Sequence, residues 1–202
     1  MKNILISIKP KYVSMILNKT KTIEVRKRFP KEYRGWVYIY CTKNGDRPIY
    51  LPWEFNCHKE NGEYIADCEF KKGNGKVVAR FYCDNVEEIY DIKDITPYEF
   101  ECECDRYVSK TISLSPSEFI EKTCLTQTEL DEYLDCGEKT GYAVHISQLE
   151  IFDKPKELSE FYKIGHYEDF NDYFTDEKRI NGKWCIPLKK APQSMMYIEV
   201  EE

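Results

Sequence analysis

A lysine, a hydroxyl, a carboxylate and a guanidinium fall within the short run Lys21-Thr22-Ile23-Glu24-Val25-Arg26. Glu24 and Arg26 are two apart, so on an extended chain they leave the backbone on one side and each can steady the other. Lys21 opens the same stretch. Converging on one hollow, such groups could fix a base edge, a ribose or a phosphate. The cations would meet phosphate or carbonyl oxygens, and Glu24 would accept from an amino group or orient Arg26. The bland alternative is a solvated strand face with one surface salt bridge, contributing about 0 to 1 kcal/mol. If the segment were catalytic, Lys21, Thr22 and Glu24 would carry the chemistry, with a lysine of lowered pKa or a carboxylate of raised pKa activating a nucleophile in a dry pocket. On the binding reading, Lys21→Ala and Arg26→Ala are expected to weaken a ligand while leaving the melting temperature nearly unchanged.

Other residues invite chemistry less specifically. His145 lies in Tyr142-Ala-Val-His-Ile-Ser147 and shares a side with Ala143 and Ser147; it reads as a hydrogen-bonded strand histidine or as a pocket-lining one. Cys57-His58, Cys68, Cys102-x-Cys104 and Cys124 supply atoms that zinc prefers, but no Cys-x-x-Cys pair occurs, and buried free thiols are the expectation. No metal or cofactor is expected. Trp36, Tyr38 and Tyr40 share one strand parity, as the wall of a sheet or as a stacking platform for unpaired bases. Gly73 and Gly75 are turn glycines, since the lysine, hydroxyl and helix of a phosphate loop do not follow them.

The elements that would position these residues can be read from periodicity. Residues 3 to 8 form a buried strand, and Pro10 opens a helix over Lys11 to Leu17 with Tyr12, Val13, Ile16 and Leu17 on its apolar side. Lys21 to Arg28 alternates as a strand with one charged face. Trp36 to Thr42 is an aromatic strand, and residues 43 to 61 read as loop with a short strand. Ile65 to Phe70 and Lys76 to Ile89 read as strands joined by a hairpin at Lys72-Gly-Asn-Gly75, in a meander. Ser117 to Lys122 and Thr126 to Leu134 are helices with start signals ahead of them, forming a helical insertion over about 95 to 137. Strands return at Tyr142 to Phe152, Trp184 to Leu188 and Met196 to Val200. With strands at both ends, pairing the first with the last would remove exposed edges and close the sheet.

Composition bounds the rest. At 202 residues, with 42% hydrophobic and 33% charged, the chain suits one globular domain spanning 1 to 202. The net charge of −6 excludes binding to polyanions by bulk charge, so any nucleic-acid contact must be local. The basic stretch is 9 to 35, with Lys9, Lys11, Lys19, Lys21, Arg26, Lys27, Arg28, Lys31 and Arg34 against Glu24 and Glu32, whereas acid concentrates in 84 to 138. Nine scattered cysteines without an apolar leader fit a reducing cytoplasm. No run reaches the roughly 18 apolar residues of a membrane helix.

Taken in order, Ile4-Leu-Ile-Ser-Ile-Lys-Pro10, then a helix, then Asn18-Lys-Thr-Lys-Thr-Ile-Glu-Val-Arg26 resembles the opening of the ASCH family of the PUA-like superfamily. Arg34-Gly35, Gly75-Lys-Val-Val-Ala-Arg80, Gly141-Tyr-Ala-Val-His-Ile146 and Lys190-Ala-Pro-Gln-Ser194 extend the likeness over most of the chain. It implies an α+β fold: a PUA-like mixed β-barrel with an N-terminal helix and a helical insertion. It also implies binding of RNA or a nucleotide-like ligand in a cleft lined by Ser7, Lys9, Lys21, Glu24 and Arg26, with His145 and Gln193 beside them. Some small members resemble amidohydrolases that deacetylate N4-acetylcytidine with a lysine, a threonine and a glutamate. Lys21 matches that lysine, Glu24 stands where the threonine would be, and Glu121 lies two positions out of register with the glutamate. A third reading makes the acidic helical insert the contact surface of a protein-interaction module in a mobile element or regulatory complex.

Overall fold

Branched apolar residues make Asn3–Ile8 a strand (β1) with Ile4, Leu5, Ile6 and Ile8 buried, and Pro10 supplies the preset φ that starts the helix Pro10–Leu17 (α1). Pro10, Val13 and Ile16 are the buried positions of that helix. It ends at Lys19, whose left-handed φ of 60° turns the chain toward Ile23–Arg26 (β2). The computed structural model describes residues 2–43, 48–60, 63–91, 107–109, 114–135, 139–165 and 178–201.

The remaining strands are Gly35–Cys41 (β3), Tyr50–Glu60 (β4), Glu63–Lys72 (β5), Val77–Cys83 (β6), Val86–Asp91 (β7), Tyr107–Ser109 (β8), Gly141–His145 (β9), Ser147–Lys156 (β10), Phe161–Ile164 (β11), Lys178–Ile180 (β12), Lys183–Pro187 (β13) and Met195–Val200 (β14). Helices Pro116–Thr123 (α2) and Gln127–Leu134 (α3) fall within the expected insertion. Both open on capping boxes: Ser115 with Glu118, and Thr126 with Glu129. Among the described residues no helix is long and apolar enough to cross a membrane.

Two compact units make up the chain. The first comprises 1–14, 36–81 and 150–202, and the second 15–35 and 82–149. The first is built on an eight-stranded mixed sheet in the order β10-β6-β3-β1-β14-β11-β13-β12. At its centre β1 pairs with β14 antiparallel, Ile4 opposite Tyr197, and with β3 parallel, Ile4 opposite Val37. The first and last strands therefore do pair, and the order ends at β10 and β12 without a closing pair among the described residues. Leu5, Tyr38, Tyr40, Val77, Phe161, Leu188 and Ile198 form its core.

The second unit is a four-stranded sheet, β2-β9-β7-β8, with α2 and α3 packed on one face. Register places Val25 opposite Ala143 and Ala143 opposite Glu87. Ile23, Val25, Ala143 and Ile89 on that face meet Phe119, Leu130 and Leu134 from the helices. Glu24 and Arg26 leave the opposite face.

Several expectations are corrected. Residues 50–60, expected as loop with a short strand, form a full strand paired with β5, and a register shift between Pro52 and Glu54 accommodates the proline. The turn at Lys72 to Gly75 joins no hairpin, since β5 pairs with β4 while β6 enters the larger sheet. It instead folds onto the chain beyond β3: Gly73 N–H donates to the Ile49 carbonyl at 2.8 Å, and Gly75, at φ 83°, donates to the Cys41 carbonyl at 2.8 Å. The expected strand 76–89 breaks at Asp84-Asn85 into β6 and β7, in different sheets. The strand 142–152 likewise divides at Ile146. With β5, β6 and β7 in three different sheets, the meander expected over this stretch does not form.

Thr126→Ala is expected to lower stability by about 1 kcal/mol through loss of a helix cap. Phe119→Ala, which empties a fully buried site, should cost about 3–5 kcal/mol. Urea denaturation with the slope held constant measures both.

Candidate functional site

Lys21 reaches its place because its backbone is strapped from both sides. Its N–H and that of Thr20 donate to the Met15 carbonyl at the end of α1, at 3.1 and 3.0 Å, while Thr22 N–H donates to the Lys122 carbonyl in the last turn of α2 at 3.0 Å. The side chain then runs inward, with only 1% of the residue exposed. Its ammonium donates to the Thr123 carbonyl at 2.5 Å, so the lysine caps one of the carbonyls that a helix C-terminus leaves unpaired and meets the negative end of its dipole.

Nζ also lies 3.4 Å from Glu24 Oε2, and the other carboxylate oxygen accepts from Arg26 Nη2 at 3.1 Å. Two cations thus share one carboxylate, with Glu24 7% and Arg26 6% exposed. Burial lowers the pKa of Lys21 from its ordinary value, and the adjacent Glu24 carboxylate partly offsets this. The alternation expected for this strand holds, but its charged side is buried rather than solvated. A near-unchanged melting temperature on truncation does not survive that burial, because removing one partner strands the other's charge out of water.

A second polar group gathers at the margin of the helix-covered face. Arg34 donates from Nη1 to the Tyr33 carbonyl at 2.7 Å and from Nη2 to Asn85 Oδ1 at 2.9 Å. The Asn85 amide in turn donates to Glu87, a carboxylate 5% exposed. His145 sits across from Asn85, its N–H donating to the Asn85 carbonyl at 3.0 Å. The shielded Nε2 has no hydrogen-bond partner among the described residues and lies 3.7 Å from Glu87 Oε1. Desolvation lowers the His145 pKa below its usual 6.5, against the opposing pull of Glu87 and Asp84. The imidazole is therefore neutral at pH 7.

The other expected site residues divide between the two units. Ser7 spends its hydroxyl on the Pro192 carbonyl at 2.6 Å, and its N–H donates to the Ser194 carbonyl at 3.0 Å, tying β1 to the segment before β14. Lys9 and Gln193 are exposed on the first unit. Thr22 is half-buried beside Lys21. Glu121 is exposed, whereas two positions beyond it Thr123 is fully buried and supplies the carbonyl that Lys21 grips. The Thr123 hydroxyl donates to the Ile120 carbonyl at 3.0 Å. Asn85, Glu87, Arg34 and Thr123 were not legible as site residues; the period-two pair Asn85 and Glu87 within the expected strand 76–89 was the one available signal.

Burial pushes the Cys41 and Cys83 thiols up to about 12, so they remain protonated and inert at neutral pH. No cluster of three or more His, Cys, Asp or Glu suited to a metal occurs among the described residues. The side chains of Cys57, His58 and Cys68, together with Cys102 and Cys104, lie outside them.

No protein-family profile matches the chain, and no curated protein matches it significantly. A crystal structure of ASCH from Zymomonas mobilis matches over 98% of this chain and 88% of that one, with a TM-score of 0.51 and 14% identity. The chain has an ASCH-like fold. Two single-substitution variants of the same Zymomonas protein, one tyrosine-to-phenylalanine and one serine-to-alanine, match over 98% of this chain and 91% and 89% of theirs, at 13% and 14% identity and a TM-score of 0.45 each. In this ASCH-like chain the lysine, carboxylate and guanidinium of the opening motif meet within one unit.

Lys21→Ala is expected to cost about 3–5 kcal/mol, the usual consequence of breaking a buried ion pair, read as a lowered melting temperature. For His145 the folded pKa lies below the unfolded value, so as pH falls beneath about 6.5 the unfolded chain takes up its proton first. Stability should fall in that window and be flat above it. His145→Gln should remove that part of the acid limb in denaturation curves taken from pH 8 to pH 5.

Proposed function

We propose that the chain binds RNA or a nucleotide-like ligand through Lys21, Glu24 and Arg26. The observation that supports this most is the sharing of the Glu24 carboxylate by two buried cations. A ligand bringing phosphate or carbonyl oxygens complements such an arrangement, because charge-assisted hydrogen bonds are strongest where water is excluded. Arg26 offers a planar fork to such oxygens, and Glu24 can accept from an exocyclic amino group while keeping that fork oriented. His145 is a weaker contact in the same unit. Lys9 and Gln193 are separate exposed contacts on the other, and Ser7 contributes there chiefly by holding its loop. Closure of the sheet into a PUA-like barrel belongs to the same reading, and the pairing of β1 with β14 supports it. Residence in the cytoplasm is proposed with it, the four described free thiols being suited to a reducing compartment.

A second reading has one observation in its favour. Burial lowers the Lys21 pKa, the direction a general base needs, beside the carboxylate of Glu24. On that reading the chain is an amidohydrolase acting on a modified nucleoside such as N4-acetylcytidine, with Lys21, Thr22 and Glu24 as its working groups. Release of cytidine by the wild type and not by Lys21→Met supports it; no turnover above that variant removes it.

Fluorescence anisotropy with a labelled oligoribonucleotide and with nucleoside monophosphates tests the first reading. Arg26→Lys keeps the charge and removes the fork. Loss of one hydrogen bond to a charged group, about 1.5 kcal/mol or more, should weaken binding roughly tenfold. Equal affinity in a folded Arg26→Lys variant contradicts the proposal.

A further inference from the structure

The aromatic row of β3 divides in two. Tyr38 and Tyr40 are buried, Tyr38 packing edge-on against Phe161 with ring centroids 5.3 Å apart and tilted against Phe152 at 6.2 Å. They are the wall of the core. Trp36, at the start of the row, is half-buried and carries Arg80 from β6, whose guanidinium carbon lies 4.2 Å from the indole centroid. Two further bonds lock that plane: Nη1 donates to Tyr38 Oη at 3.2 Å and Nε donates to Glu150 Oε2 at 2.7 Å. A guanidinium has five N–H donors. These two bonds use two of them, leaving three without a partner among the described residues, on a side chain 32% exposed.

We propose that Trp36 and Arg80 form a stacking seat for a nucleobase of single-stranded RNA, in the unit that does not hold Lys21. An arginine already held over an indole and hydrogen-bonded at two nitrogens has lost most of its rotamer freedom before any ligand arrives. Its π-surface accepts a base of any identity, and the in-plane donors reach a base edge or a neighbouring phosphate. The surroundings suit a polyanion. Lys156 lies over the Phe152 ring at 5.0 Å, and Lys76 pairs with Glu157 at 2.8 Å. Arg80, Lys76 and Lys156 are thus three cations presented at or beside β6 and β10, on a chain whose net charge is −6. Locally grouped cations are the form of nucleic-acid contact that an acidic chain permits.

The ligand class is taken from the function proposed above, and the test separates the two. Binding of a short single-stranded oligoribonucleotide and of a nucleoside monophosphate is measured by anisotropy and calorimetry for the wild type, Arg80→Ala, Arg80→Lys and Arg26→Lys. Arg80 is partly exposed, so its variants should melt near the wild-type temperature, and melting is recorded as the control. Arg80→Ala should weaken the oligonucleotide about tenfold, in the range seen for one stacked base, and leave the monophosphate unchanged. Arg80→Lys should lose most of the same affinity, because it keeps the charge without the plane. Unchanged oligonucleotide affinity in Arg80→Ala overturns the seat even if Arg26→Lys shows a loss, in which case the Lys21 site stands alone. A loss in Arg80→Ala with none in Arg26→Lys leaves the seat and removes the other site. A wild type with no affinity for the oligonucleotide, or one that uses Arg80 to capture a protein without RNA, also overturns it.

Discussion

An ammonium, a guanidinium and a carboxylate taken out of water are stable only if each finds the others, and in this chain that requirement organises the second unit. Lys21 cannot lie buried unless the last turn of α2 comes to its ammonium, and it does so through the carbonyl of Thr123. The same lysine needs Glu24, which needs β2 in register with β9, and Glu24 in turn holds Arg26. Sheet, helix end and ionic group are therefore interdependent. The apolar face of the sheet, closed by Phe119, Leu130 and Leu134, provides most of the packing, while the charged group sets which helix end faces which strand.

The same physics narrows the chemistry available. Thiols at Cys41, Cys83 and Cys185 are held protonated by burial, which leaves them as packing groups. His145 is held neutral by desolvation beside a buried carboxylate. Burial lowers the pKa of Lys21 from its ordinary value. In the first unit the contrast is instructive: Arg80 keeps a third of its side chain in solvent and is fixed by stacking and two hydrogen bonds rather than by burial.

Much of this architecture is legible in the residues. The strand at 3–8, the helix after Pro10, and the helices capped by Ser115 with Glu118 and Thr126 with Glu129 follow from local periodicity and capping chemistry. The juxtaposition of Glu24 and Arg26 follows from strand parity, whereas Lys21, ahead of β2 and of the opposite parity, joins them through its inward-running side chain. Long-range pairing does not: nothing local in β1 or β3 announces that they run parallel, and β4 hides behind Pro52 until its register shift is seen. The two-residue turn Asn181-Gly182, with φ of 49° and 78° between Ile180 and Lys183, is a hairpin signal that hydrophobic alternation alone passes over. Burial of the charged side of β2 was illegible for a different reason. Parity states which residues share a face, whereas what covers that face depends on segments distant in the chain.

A double-mutant cycle between Lys21 and Glu24 tests the central claim most directly, using Lys21→Met, Glu24→Gln and the pair together in equilibrium unfolding. A buried, mutually dependent pair predicts a coupling energy above about 1 kcal/mol, within the range for residues in one ionic network. Additive effects, to within about 0.3 kcal/mol, would mean that the two groups do not sense each other, and the account of this site would be wrong.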